Sequence, residues 1–346
     1  MKSNTITKNK ADNASYKAFT KSLSSGNVGS FYIFHGQERY LLEGSLKGLR
    51  AKLCPDGLDS FNYKRFDGKT LSAEELEDAI DTLPAFADRT LIEIHDYDIF
   101  KSAQKERLCV VFSDLPDYVC VIFIYGAIEY KPDGRKKTDK EILKYANVIK
   151  FNAQDQDRLV DWILRHFHDA GKKISKSNAE YIASLTGGLM TRLNGEIEKA
   201  AAYAKAEFVT RKDIDAVVTP VLDAVAFRLA DAIVSGDNAG ALRLLAELLQ
   251  MREQPHKLLY LISLRMRQLL AARVFIDSNR GSSELMQICD IRFDFIARNL
   301  MGTAKSTTLA YCRQAVLHCS EVALELNSTA EPESRLIELV TKLANI

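Results

Sequence analysis

Between residue 30 and about residue 150, short apolar runs alternate with segments of helical spacing, and this alternation restricts the possible folds more than any other feature of the chain. "SFYIFHG", "FNYKRFDG", "RTLIEIHDY" and "YVCVIFIYG" read as strands, and "ERYLLEGSLKGLRAKL", "SAEELEDAIDTL" and "SAQKERLCVVFSDL" as the helices between them. The last of these strands is apolar almost throughout, which suits a parallel sheet covered on both faces. Ser72 and Glu75 form a capping box at the head of the second helix. The charged segment "EYKPDGRKKTDKE", residues 129–141, reads as an exposed loop, and "EILKYANVIKF" supplies a last helix and strand. Residues 30–151 therefore form an α/β domain.

The flanks differ in kind. Residues 1–29 read as a polar lead ending in a short helix at "ASYKAFTKSL", stopped by Gly26. After residue 152 the strand-like runs stop and helical spacing takes over. Thr210 and Asp213 open one of these helices as a capping-box-like pair, and Pro220 marks a boundary. A small helical domain is expected over 152–220 and a larger all-α domain over 221–346.

The sequence after the first strand has the layout of a nucleotide-binding P-loop, with Gly36 at the turn into a helix. Such a loop wraps phosphates with backbone N–H groups, and its lysine and hydroxyl meet the outer phosphates and magnesium. Counting on from Gly36, the required Gly, Lys and Ser/Thr positions hold Leu41, Leu42 and Glu43. The loop keeps the shape and lacks the chemistry. "FDGKT", residues 66–70, does contain Gly-Lys-Thr, but Tyr63 stands where the first loop glycine belongs. Gly68 reads as a turn glycine, and an NTPase built on Lys69 and Thr70 is the rival enzyme reading.

Other candidates are weaker. "IEIHDYD", residues 92–98, could be a magnesium-holding strand end or a His-Asp metal pair, but Glu93 interrupts the apolar run and no further ligand cluster accompanies it. His166 and His168 are two apart on a helix and cannot converge on one metal. Six cysteines, at 54, 109, 120, 289, 312 and 319, contain no Cys-x-x-Cys and read as free thiols. No catalytic constellation, metal or cofactor is expected. In "TLPAFADRT", residues 82–90, Pro84 stops a helix and Phe86 sits on the turn. Phe86 either folds back over the sheet edge or projects into a partner's pocket, as interface anchors do. Arg135, Lys136 and Lys137 either form a solvated loop or touch a phosphate backbone.

Charge and hydropathy limit the partners. Lys and Arg number 47 against 46 Asp and Glu, so the chain does not hold nucleic acid by net charge. No apolar run approaches the roughly 18 residues of a membrane span, and "MKSNTITKNKADNASYK" is polar. Neither a membrane helix nor a secretory signal is expected, and the location is cytoplasmic.

In order and spacing, four stretches resemble the delta subunit family of the bacterial DNA polymerase III clamp loader. They are "FYIFHGQERYLLEGSLKGLR", "FDGKTLSAEELEDAIDTLPAFADRTLIEI", "YIASLTGGLMTRLNGEIEKAAAYA" with "VTRKDIDAVV", and "VAFRLADAIVSGDNAGALRLLAELL" with "QPHKLLYLISLRMRQLL". The resemblance implies an AAA+-like module whose ATP site is degenerate, then a helical collar domain. It implies a non-catalytic subunit that binds the ring-shaped sliding clamp and holds it open for loading onto primed DNA. The other loader subunits, of gamma/tau and delta-prime type, are the implied partners of the last domain. The two hydrophobic residues that wedge into the clamp fall on Ala85 and Phe86, with Leu83 able to supply bulk where Ala85 is small. Arg192 matches an arginine that AAA+ ATPases place on nucleotide, and is structural if no phosphate is bound. Asn327 stands where the family often has a lysine. No Ser-Arg-Cys finger or four-cysteine zinc module is present, which favours delta over its sibling subunits.

Overall fold

A computed structural model describes residues 4–54, 59–85, 87–327 and 331–346. The chain divides into two compact units, Met1–Ala153 and Gln154–Ile346.

In the first unit the order is α1 (Asn4–Ser25), β1 (Phe31–Gly36), α2 (Arg39–Leu53), α3 (Asp59–Asn62), β2 (Tyr63–Asp67), α4 (Ala73–Asp81), β3 (Thr90–His95), α5 (Lys105–Ser113), β4 (Val119–Tyr125), α6 (Lys137–Tyr145) and β5 (Asn147–Phe151). The strands form one parallel sheet in the order β2-β3-β4-β1-β5. Period-two alternation divides its side chains. Phe31, Ile33, Ile92, Ile94, Val121 and Phe123 enter a core with residues of α4, α5 and α6. Tyr32, Phe34, Leu91, Ile122, Ile124 and Ile149 enter a second core with Leu42, Leu46 and Leu49 of α2. Both faces are covered, as the apolar strands required. This is the parallel α/β fold that the alternation of strands and helices implies.

Three local expectations are corrected. The N-terminal helix is not short: it runs from Asn4 to Ser25, and Gly26, at φ +79°, ends it. Tyr16, Phe19 and Leu23 lie on one stripe and pack on the sheet, with Phe19 edge-on to Tyr32 and Phe34. The polar sequence hid a helix whose apolar stripe finds its partner only in the tertiary fold. The loop expected over 129–141 yields to α6 at Lys137, because Asp139 in the first helical turn is buried and bonded. Lys105 Nζ donates to Asp139 Oδ1 at 2.8 Å, and the Asp133 amide donates to its Oδ2 at 2.8 Å. The strand read in "FNYKRFDG" begins only at Tyr63, the preceding residues turning as α3.

The second unit contains α7 (Gln156–Asp169), β6 (Lys173–Ile174), α8 (Lys176–Thr186), α9 (Met190–Tyr203), β7 (Phe208–Val209), α10 (Arg211–Val217), α11 (Leu222–Val234), α12 (Asn238–Gln250), α13 (Pro255–Asp277), α14 (Ser282–Cys289), α15 (Asp294–Lys305), α16 (Leu309–Glu325) and α17 (Pro332–Ala344). Here too a reading is corrected: β6 and β7 pair in parallel, each too short to show alternation in sequence. Thr210 and Asp213 form the expected capping box. A single core joins α11 through α17, including Leu229, Leu245, Leu258, Met266, Leu300 and Leu339. The six cysteines are free thiols, and Cys312 and Cys319 belong to this core.

Candidate functional site

The turn after β1 is the one whose sequence has the layout of a phosphate loop. β1 ends at Gly36 and α2 starts at Arg39, so only Gln37 and Glu38 lie between them. A P-loop needs several free amides at this point. Here the Glu38 amide donates to Phe151 O at 3.0 Å, tying the turn to β5. Gly36 adopts φ +131°, and a Cβ there would stand 2.3 Å from Phe151 O. Leu41, Leu42 and Glu43 all lie inside α2: Leu42 is fully buried and Glu43 faces solvent.

"FDGKT" forms a tight turn between β2 and α4. The Lys69 amide donates to Asp67 Oδ1 at 3.0 Å, the Thr70 amide to Asp67 O at 3.1 Å and the Gly68 amide to His95 O at 2.7 Å. Gly68 is needed because Tyr97 N would lie 2.3 Å from an added Cβ. An open cleft of about 440 Å³ beside it is lined by Arg65, Phe66, Asp67, Lys69, His95 and Asp96. The amides that would wrap a phosphate are engaged inside the turn, and two carboxylates share the cleft with the cations.

At the end of β3 the polar residues of "IEIHDYD" take separate structural tasks. Glu93 is fully buried and receives Arg50 Nε at 2.8 Å, Arg50 Nη2 at 2.5 Å and the Tyr63 hydroxyl at 3.1 Å. His95 Nε2 stands 3.5 Å from the same carboxylate. Burial acts to raise the Glu93 pKa, but His95, Arg50 and Tyr63 together outweigh it and hold the group below its ordinary value. Tyr63, desolvated and beside that carboxylate, is pushed up to about 12. Asp96, at φ +59°, accepts at one oxygen from the amides of Gly126 and Ala127, both at 2.6 Å, and so pins the loop after β4. His166 Nδ1 faces Trp162 O at 3.1 Å, whereas His168 is exposed beside Asp169. Among the described residues no group of three or more His, Cys, Asp or Glu could hold a metal ion.

The turn between α4 and β3 is built differently: it is held at its base and exposes an apolar side chain. Ser72 and Glu75 cap α4 reciprocally, the Glu75 amide donating to Ser72 Oγ at 3.1 Å and the Ser72 amide to Glu75 Oε2 at 2.9 Å. After Asp81 the helix stops, and Leu83 is 71% exposed. Ala85 is held from both sides by the fully buried Asn62, whose Nδ2 donates to Ala85 O at 2.6 Å and whose Oδ1 accepts from the Ala85 amide at 2.7 Å. Arg89 anchors the far end, donating to Val28 O at 2.6 Å and Val119 O at 2.7 Å. Phe86 lies outside the described residues. Sequence reasoning missed Asn62 and Arg89; an asparagine 23 residues away carries no local signal of clamping a turn. It also missed Phe61, 58% exposed beside Asn62.

Arg135, Lys136 and Lys137 come together at the head of α6, all exposed, with Lys136 as its N-cap residue. Arg135 Nε pairs with Asp133 at 3.1 Å, and Lys137 Nζ lies 3.9 Å from Glu141. Arg192 donates to Thr219 O at 3.3 Å, within the second unit. Asn327 donates to Ala323 O at 3.3 Å. No helix among the described residues is long and apolar enough to cross a membrane.

Two family models match, and together they span most of the chain. Residues 32–152 match the model described as DNA polymerase III, delta subunit, and residues 223–342 that of the DNA polymerase III delta subunit, C-terminal domain. The chain belongs to the DNA polymerase III delta subunit family. DNA polymerase III subunit delta of Bacillus subtilis (strain 168) is 24% identical over 329 residues, covering 92% of this chain and 94% of the relative. A probable DNA polymerase III subunit delta of Aquifex aeolicus is 21% identical over 301 residues, covering 84% of each. The solved Bacillus subtilis DNA clamp loader delta protein aligns with a TM-score of 0.53 and 21% identity, covering 95% of this chain and 99% of that one. This delta-family chain therefore shares its fold with that structure over nearly its whole length.

Proposed function

We propose that this delta-family protein is a non-catalytic clamp-loader subunit that binds a sliding clamp through the turn between α4 and β3 and favours the clamp's open ring. The observation that carries the reading is the turn itself. Leu83 projects from a base held by Asn62 and Arg89, so a docked side chain loses little conformational freedom on binding. Leu83, Ala85 and Phe86 supply the clamp contact, and Phe61 extends the apolar surface beside them. Binding energy does the work: a ring that binds better when open is shifted towards the open state by that difference in affinity. In this reading the α/β domain of residues 30–151 carries the clamp contact. Residues 152–220 form a lid-like part, and 221–346 pack as a collar with loader subunits of gamma/tau and delta-prime type. Arg135, Lys136 and Lys137 are placed to touch primed DNA within the assembly, which is cytoplasmic.

The test is binding of the whole chain to its own sliding clamp, beside Leu83→Asp and Phe86→Asp variants. Each charge should weaken binding by about 30-fold or more, the effect of removing an interface anchor. Full binding by both variants would move the contact elsewhere on the molecule. Calorimetry with magnesium-ATP addresses the NTPase reading: saturable binding abolished by Lys69→Ala would replace the proposal.

A further inference from the structure

The second unit contains a groove of about 610 Å³ between α8, α11, α13 and the α14–α15 connection, a volume suited to a small organic ligand. Its walls are part apolar, with Phe227, Tyr260 and Leu264, and part charged, with Arg228, Arg265 and Arg298 alongside the carboxylates of Asp223 and Asp231. Arg298 is paired, with Asp294 at 2.7 Å and Glu180 at 3.6 Å. Arg265 is not paired in this way. Its Nη1 donates to Gln268 Oε1 at 2.7 Å, and Gln268, itself buried, donates on to Cys289 O at 3.3 Å. The guanidinium also lies over the Phe227 ring, 5.2 Å from its centroid, within the roughly 6 Å of a cation–π contact. The side chain is thus fixed from one edge and one face.

Its remaining edge is unpartnered. Arg265 Nε is buried and has no hydrogen-bond partner among the described residues. Asp223 and Asp231 lie close enough to interact electrostatically with the guanidinium, but Asp231 Oδ1 accepts instead from Thr303 Oγ1, at 2.9 Å. A buried donor left unmade is costly, and an arginine's Nε–Nη2 edge matches the two oxygens of a carboxylate or phosphate. We propose that this groove binds a small organic oxyanion, a carboxylate or phosphate monoester carried on a planar apolar body. The oxyanion seats on the Nε–Nη2 edge of Arg265, and the body lies along Phe227 and Tyr260. Gln268 positions the guanidinium, and the exposed Arg228 adds attraction at the groove mouth.

The experiment is NMR of the intact chain, following the Arg265 Nε–H resonance while phenyl phosphate, benzoate and inorganic phosphate are titrated separately. A saturable shift with phenyl phosphate or benzoate is expected, with inorganic phosphate weaker by about tenfold or more. Which of the two aromatic probes binds more tightly identifies the oxyanion. Arg265→Lys, which keeps the charge but not the fork, should weaken the better probe by about tenfold. Phe227→Leu should weaken the aromatic probes and leave inorganic phosphate unchanged, so the test does not depend on one variant folding. An Nε–H resonance unmoved by every probe overturns the proposal. So does equal binding of inorganic phosphate, or a resonance that responds only to Asp223→Asn, which would mean that Asp223 closes the edge in solution.

Discussion

Glu93 is a buried carboxylate on a sheet face otherwise made of apolar residues, and its partners decide whether that is tolerable. Removing one member of a buried pair leaves an uncompensated charge, the costly case, moderated here because Arg50 is partly solvent-accessible. Arg50→Met should lower stability by about 2 kcal/mol near neutral pH, read as a shift in the urea midpoint. The pH dependence follows from the direction of the shift. The folded Glu93 pKa is depressed below its ordinary 4.5, so the unfolded chain binds this proton more readily. Its stabilising contribution is full above 4.5 and lost as pH falls through the lower folded value. The difference between the wild-type chain and Arg50→Met should therefore narrow on acidification; a constant difference would show that Arg50 acts through packing alone.

At the scale of elements, the turn after β1 differs from a phosphate-binding loop in its length and in its contacts. Two residues between β1 and α2 leave no loop to wrap a phosphate, and the close approach of Gly36 to Phe151 O fixes that short turn. Gly36→Ala should destabilise the chain by about 2–3 kcal/mol, since both the positive φ and the backbone contact oppose a side chain. Restoring a lysine at Leu42 would not restore phosphate binding, because that position is buried in α2. The cap of α4 is a smaller effect: Ser72→Ala should cost about 1 kcal/mol in thermal or urea unfolding. It should leave the proposed clamp binding close to normal, because Asn62 and Arg89 hold the turn independently of the cap.

For the whole molecule, each unit has its own core, and the second should fold without the first. A chain of residues 154–346 is expected to unfold in one cooperative, strongly helical transition, followed by circular dichroism. A broad, non-cooperative melt would show that its core needs the α/β unit. The proposed division at residue 220 makes a further demand. If α7–α10 are a separate lid, a chain of residues 221–346 should keep the α11–α17 core and melt on its own.

Much of this was legible in the sequence, and the limits have physical causes. The parallel sheet, the capping boxes at Ser72 and Thr210 and the helical second half follow from periodicity and capping, which are local properties. The chemical emptiness of the first turn was legible as well, because Leu41, Leu42 and Glu43 cannot do the work of a glycine, a lysine and a hydroxyl. Other features depend on partners distant in the chain. The long N-terminal helix exists through Tyr16 and Phe19 meeting Phe151, Tyr32 and Phe34. The early start of α6 depends on Lys105, and the rigid base of the candidate turn on Asn62 and Arg89. The unpartnered Nε of Arg265 became visible only once four helical segments had been brought around it. Sequence by itself determined which segments could be strand, helix or phosphate loop, because those choices rest on neighbours a few residues apart. Tertiary structure alone decided which polar groups are satisfied and which side chains are left projecting, because a hydrogen bond or a contact is a property of two places in the chain at once.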